Sequence, residues 1–89
     1  MTAHIRSIEM ERAHRAAQNN YQQIERALVS RCFCCGEFMT FDEIEGWADF
    51  GETAICPYCD IDAVLDMRHW PILDAHFMTA MHRYWFGAL

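Results

Sequence analysis

The sequence predicts a mainly α-helical domain with a small β part, in which a compact central module sits between a long N-terminal helix and a C-terminal helix. Three observations predict it. Two C-x2-C pairs, Cys32-Phe33-Cys34-Cys35 and Cys56-Pro57-Tyr58-Cys59, stand 20 residues apart. An apolar stripe at helical spacing runs through residues 4–29 without Pro or Gly, and a second runs through residues 71–86. The chain of 89 residues has room for one domain, 1–89, near the size at which a hydrophobic core alone is marginal. Its 53% apolar and 13% aromatic content marks it as globular.

The cysteine pairs justify the central module, residues 30–66. C-x2-C…x20…C-x2-C is the spacing of a four-cysteine zinc site, so Cys32, Cys35, Cys56 and Cys59 are the expected ligands. Each pair wraps one face of an ion, and the intervening segment is long enough to bring the faces together. Gly36 follows the first pair, where a zinc knuckle wants a residue tolerant of positive φ. Pro57, inside the second pair, suits the first turn of a helix. Four thiolates close the tetrahedron and leave no position for water, which is the pattern of structural Zn²⁺ rather than catalytic zinc. Such a site contributes on the order of 10–16 kcal/mol of binding energy that becomes folding energy. Rubredoxin-like iron uses similar C-x2-C-G and C-P-x-C loops and is the alternative, distinguished by its red colour. Cys34 is expected to be a spare thiol beside the metal, with a redox-sensing role as its sharper alternative. Five cysteines cannot all pair as disulfides, which favours a reducing cytoplasm.

The remaining elements follow in order. Met10, Ala13, Ala17, Tyr21, Ile24 and Leu28 recur at steps of three and four and predict one helix over 4–29. Its stripe would pack on its own domain or on its twin in a homodimer. Glu37-Phe38-Met39 reads as a short strand. Thr40-Phe41-Asp42-Glu43 has the form of a capping box, opening a short helix through Ile44 and Trp47 to Asp49. Gly51 ends that turn, and Glu52 to Ile55 reads as a second short strand. Ile61 to Asp66 predicts a helix beginning at the metal, broken by His69-Trp70-Pro71. Leu73, Phe77, Ala80, Met81, Tyr84 and Trp85 predict the C-terminal helix over 71–86, stopped by Gly87. A knuckle on a strand, a turn, and a second knuckle feeding a helix describe a treble-clef or zinc-ribbon-like module.

Charge narrows the function classes. Residues 1–31 carry five arginines against three glutamates, a local net of +2, while residues 32–89 carry ten acids against Arg68 and Arg83, a local net of −8. There is no lysine, and the whole chain has a net charge of −6. Such a body repels a phosphate backbone, so general nucleic-acid binding is disfavoured. The first residues lack the apolar core of a secretion signal, and no apolar run approaches a membrane span. His4, His14, His69, His76 and His82 show no ligand spacing and read as surface or capping groups. Enzyme readings fail on inventory. The deaminase pattern H-x-E is absent upstream of Cys56, residues 36–55 hold neither the His nor the Asn of an HNH nuclease, and no nucleotide loop or Ser–His–Asp set is present. The terminal Tyr84-Trp85-Phe86 cluster reads as packing against the module, with a docking patch as the alternative.

The stretch from Cys32 to Phe86 resembles a family of small, uncharacterised bacterial and phage proteins labelled only as cytoplasmic proteins. The shared residues are Cys32-Phe33-Cys34-Cys35, Glu43-Ile44, Trp47, Asp49, Gly51, Thr53-Ala54, Cys56-Pro57-Tyr58-Cys59, Ile61 to Val64, and Met81 with Tyr84-Trp85-Phe86. Asp60 stands where that pattern has glycine. The resemblance implies zinc held by the four named cysteines and supplies no activity. The function expected is a non-enzymatic zinc module that binds another protein as a regulator or inhibitor. Two alternatives stand beside it. A helix followed by C-x-x-C-G-E is similar to DksA/TraR-type zinc-finger proteins that enter RNA polymerase. The arginines of the N-terminal helix would serve nucleic-acid binding.

Overall fold

The computed structural model describes residues 7–70 and 75–87. The order is α1 (Ser7–Ala16), α2 (Tyr21–Arg26), β1 (Ser30–Cys32), β2 (Phe38–Met39), a 3-10 turn (Phe41–Glu43), β3 (Gly46–Ala48), β4 (Thr53–Ile55), β5 (Val64–Asp66) and α3 (Ala75–Phe86). One antiparallel sheet runs β2-β1-β5 and a second is the β3-β4 hairpin. This is a small α+β fold. It corrects the expected mainly α architecture with one long N-terminal helix, and three particular elements account for the difference.

The N-terminal segment breaks at Ala17–Asn20. Asn19 adopts a left-handed φ of 50°, which ends α1, and its N–H donates to Thr53 Oγ1 at 2.9 Å. Asn20 is buried, with its amide nitrogen donating to the Val64 carbonyl (2.8 Å) and its amide oxygen accepting from the Ala54 N–H (3.3 Å). One side chain therefore bridges β4 of one sheet and β5 of the other. The Tyr21 N–H then donates to the Glu52 carbonyl, starting α2 against the β3-β4 loop. Amides compete for backbone partners, and here tertiary partners outbid the helix. Met10, Ala13, Ala17 and Ile24 still fill the chain's own core, so the stripe packs intramolecularly, while Leu28 falls beyond α2 and is 93% exposed.

The expected helix over residues 40–49 reduces to the 3-10 turn. The Glu43 carboxylate does reach back to the Thr40 N–H at 2.8 Å, as the capping-box pattern implies. However, Gly46–Ala48 pairs with Thr53–Ile55, placing Trp47 opposite Ala54. Tyr21, Phe41 and Trp47 then pack as a ring cluster with centroids 4.8–5.7 Å apart.

No helix begins at Cys59 or within residues 60–70, which corrects the treble-clef expectation. Asp60 turns the chain at φ 64°, and Val64, Leu65 and Asp66 pair with Cys32, Arg31 and Ser30 of β1. All three β5 residues are buried. A short apolar run is ambiguous between strand and helix, and the open edge of β1 decides for strand. Strands β2 and β4 match the expected ones. The C-terminal helix appears as α3, with Phe77, Met78 and Met81 buried; its predicted start at residues 71–74 lies outside the described residues. Each buried side chain of that size contributes roughly 1.5–3 kcal/mol.

Candidate metal centre

Cys32 ends β1 and Cys56 follows β4, and both are fully buried. Each begins a loop with the same bonding. The lead N–H donates to the carbonyl five residues on, Cys32 to Glu37 and Cys56 to Ile61, both at 3.0 Å. The residue four on, Gly36 or Asp60, donates back to the lead carbonyl at 2.9 Å and has positive φ (82° and 64°). The N–H two on donates to the lead sulfur, Cys34 to Cys32 Sγ at 3.3 Å and Tyr58 to Cys56 Sγ at 3.4 Å. Two equivalent knuckles thus face each other, each aiming a backbone dipole at its own sulfur.

The structure brings together all four predicted cysteines. The sulfurs of Cys32, Cys35, Cys56 and Cys59 lie within 4.8 Å of one another. Cys32 Sγ is 3.7 Å from Cys59 Sγ, and Cys35 Sγ is 3.6 Å from Cys56 Sγ. A tetrahedral ion with metal–sulfur bonds of about 2.3 Å sets its ligands about 3.8 Å apart. The cluster therefore fits a metal ion in size and in donor chemistry. No disulfide joins any pair. Cys35 is exposed and Cys59 half-buried, so one side of the four-sulfur cluster faces solvent while Cys32 and Cys56 set the other in the core.

Cys34 lies outside the four-sulfur group, as expected. Desolvation first, then the adjacent Cys59 sulfur, hold its thiol up to about 11. Burial pushes the Cys32 thiol far higher, only partly offset by the Cys35 and Cys34 backbone N–H groups. A cation that binds here displaces protons, because thiolate is the ligand.

Neighbouring side chains brace both knuckles, and sequence patterns alone did not reveal them. The Glu43 carboxylate accepts from the Tyr58 hydroxyl at 2.8 Å, tying the 3-10 turn to the second knuckle. The Thr40 N–H first, then the Tyr58 hydroxyl, hold the Glu43 carboxyl below its ordinary range. On the first knuckle, the Phe33 N–H donates to the Ala63 carbonyl at 2.9 Å. His82 Nδ1 lies 2.7 Å from the Cys34 carbonyl, so that nitrogen carries the proton and donates, latching α3 to the knuckle. Phe86 packs against Phe33, and Trp85 stacks on His14 of α1 at 3.9 Å while its indole N–H donates to the Met10 carbonyl. This assigns Trp85 largely to packing, while Tyr84 and Phe86 are both exposed. Among the other histidines, His69 binds the buried Asp66 carboxylate through Nδ1 (2.6 Å) and its own N–H (2.9 Å), capping the turn after β5. His4 lies outside the described residues.

Among the described residues no helix is long and apolar enough to cross a membrane. No family model, curated protein or solved structure matches this chain.

Proposed function

We propose that this chain is a non-enzymatic zinc-binding module in which one structural Zn²⁺ locks two knuckles together, and that it acts by docking on another protein. The observation that carries the reading is the four-sulfur cluster, with contacts of 3.6 and 3.7 Å from two loops of identical bonding. Four thiolates saturate zinc, so the ion organises the fold and leaves no position for a substrate. The docking role is supported by large apolar side chains left in water: Leu28, Phe38, Phe50 and Tyr58 are all exposed. No specific observation favours the polymerase reading, since its long N-terminal helix is two short ones here.

Elemental analysis of natively purified, reduced protein tests the first half. One zinc per chain is expected, lost when any of Cys32, Cys35, Cys56 or Cys59 becomes Ser and kept in Cys34→Ser. Bound iron, a folded metal-free protein, or zinc loss in Cys34→Ser overturns it. Affinity capture with the zinc-loaded chain tests the second half. Recovery of nucleic acid with no specific protein refutes the docking role.

A further inference from the structure

The β3-β4 loop has a feature that neither stability nor solubility explains. Asp49, Phe50 and Gly51 hold successive φ values of 52°, 61° and 86°. Among the described residues four non-glycine positions have positive φ; three are Asn or Asp, and the fourth is Phe50. A bulky side chain is disfavoured in this region, whereas Asn and Asp tolerate it. Phe50 is also wholly exposed, at 107% of its reference area. An aromatic ring held in a strained turn and pushed into water points to use in binding. It is followed by the exposed Glu52, while the Asp49 carboxylate before it accepts from the buried Thr53 hydroxyl at 2.8 Å. The tip thus presents one phenyl ring beside the negative charge of Glu52.

A complementary surface lies at the other end of α2. A groove of about 430 Å³ is walled by the apolar Leu28, Val29 and Met67 and flanked by Arg26 and Arg68. An apolar cavity of about 150 Å³ already holds a benzene ring. Leu28 is nearly fully exposed and both arginines are exposed. On a lysine-free chain of net charge −6, this groove gathers two of only seven cations. The tip is tied to the start of α2 through Tyr21 and Glu52, the groove begins at Arg26 at the end of α2, and Phe50 does not reach its own groove. The match is between copies.

We propose that the Phe50 tip of one copy docks in the Arg26–Arg68 groove of a second copy. Phe50 enters between Leu28, Val29 and Met67, and the Glu52 carboxylate faces the arginines at the rim. This rests on reading the chain as a docking module, and it names a second copy as a partner. A reciprocal contact closes as a dimer, while a one-way contact extends the assembly.

Sedimentation equilibrium of the zinc-loaded full chain at low salt tests the proposal, with zinc content measured on the same sample. The average mass is expected to rise with concentration through the micromolar range, and less so as salt screens the rim pairs. Phe50→Asn is expected to weaken association about tenfold or more. It should keep its zinc and melt no lower than the parent, because Asn accepts positive φ. Glu52→Arg and Arg68→Glu should each weaken association, and an equimolar mixture should restore it. A zinc-loaded chain that stays monomeric at millimolar concentration overturns the proposal, as does Phe50→Asn associating like the parent. If the parent is monomeric and Phe50→Asn instead loses a captured foreign protein, the tip serves that partner and self-docking is refuted. Loss of zinc from the parent would count against the metal site rather than this interface.

Discussion

Replacing Asn20 with Ala removes a side chain that ties β4 to β5. Its amide donates to the Val64 carbonyl at 2.8 Å and accepts from the Ala54 N–H at 3.3 Å, in a site only 2% exposed. Truncation orphans both backbone groups away from water. Each orphan costs about 1–3 kcal/mol, and the longer bond belongs at the low end, giving a loss of about 2–4 kcal/mol. For a domain of this size that corresponds to a fall of roughly 10–25 °C in Tm. It is also a large share of the roughly 5–15 kcal/mol that holds such domains folded. Urea unfolding followed by tryptophan fluorescence measures it, at fixed free zinc because bound ligand shifts apparent stability. Asn19→Gly is the control. Asn19 has the left-handed φ of 50° but contributes only its backbone N–H to Thr53, so that change should be neutral or stabilising by up to about 1 kcal/mol. A loss in Asn20→Ala of less than about 0.5 kcal/mol, or no more than in Asn19→Gly, would refute the Asn20 bridge.

Three further outcomes are expected. The knuckles offer a paired backbone test: Asp60→Gly should stabilise by about 0.5–1 kcal/mol and Gly36→Ala should destabilise by about 1–2 kcal/mol, because both positions need positive φ and a Cβ at Gly36 would meet nothing. Equal effects of the same sign in thermal melts would contradict the equivalence of the two loops. Metal affinity should fall as pH falls, since the cysteines bind as thiolates and the Cys32 thiol, held above its ordinary value by burial, must lose its proton. Chelator competition across pH should show steeper than one-proton dependence, and a flat profile would exclude thiolate ligation. The Glu43 carboxyl, lowered by the Thr40 N–H and the Tyr58 hydroxyl, supports the latch above the ordinary carboxylate range and loses that role as pH drops through its depressed value. Tyr58→Phe should move its NMR titration back up, and an unchanged midpoint would deny the contact.

The four-cysteine cluster was legible in the sequence because knuckle geometry is local. Cys32 to Gly36 and Cys56 to Asp60 each close their own bonds within five residues, so spacing and one turn residue suffice to find them. The capping pattern at Thr40–Glu43 was legible for the same reason, although the turn it opens is 3-10 and stops at once. The run from Ile61 to Asp66 was not, because its apolar residues suit a helix or a buried strand equally. Only pairing with β1 distinguishes them. The N-terminal stripe identified core residues Met10, Ala13, Ala17 and Ile24, yet it concealed the break between them.

By itself the sequence determined the four clustered cysteines, the two short strands β2 and β4, and a C-terminal helix with an apolar face, since each depends on residues a few positions apart. Only the tertiary structure decided that Asn20 joins two sheets 34 and 44 residues away, that His82 latches α3 to the first knuckle, and that Phe50 and the Arg26–Arg68 groove are both left facing water. Those outcomes depend on which distant backbone groups and apolar surfaces remain unpaired after local structure has formed, a quantity no local spacing encodes.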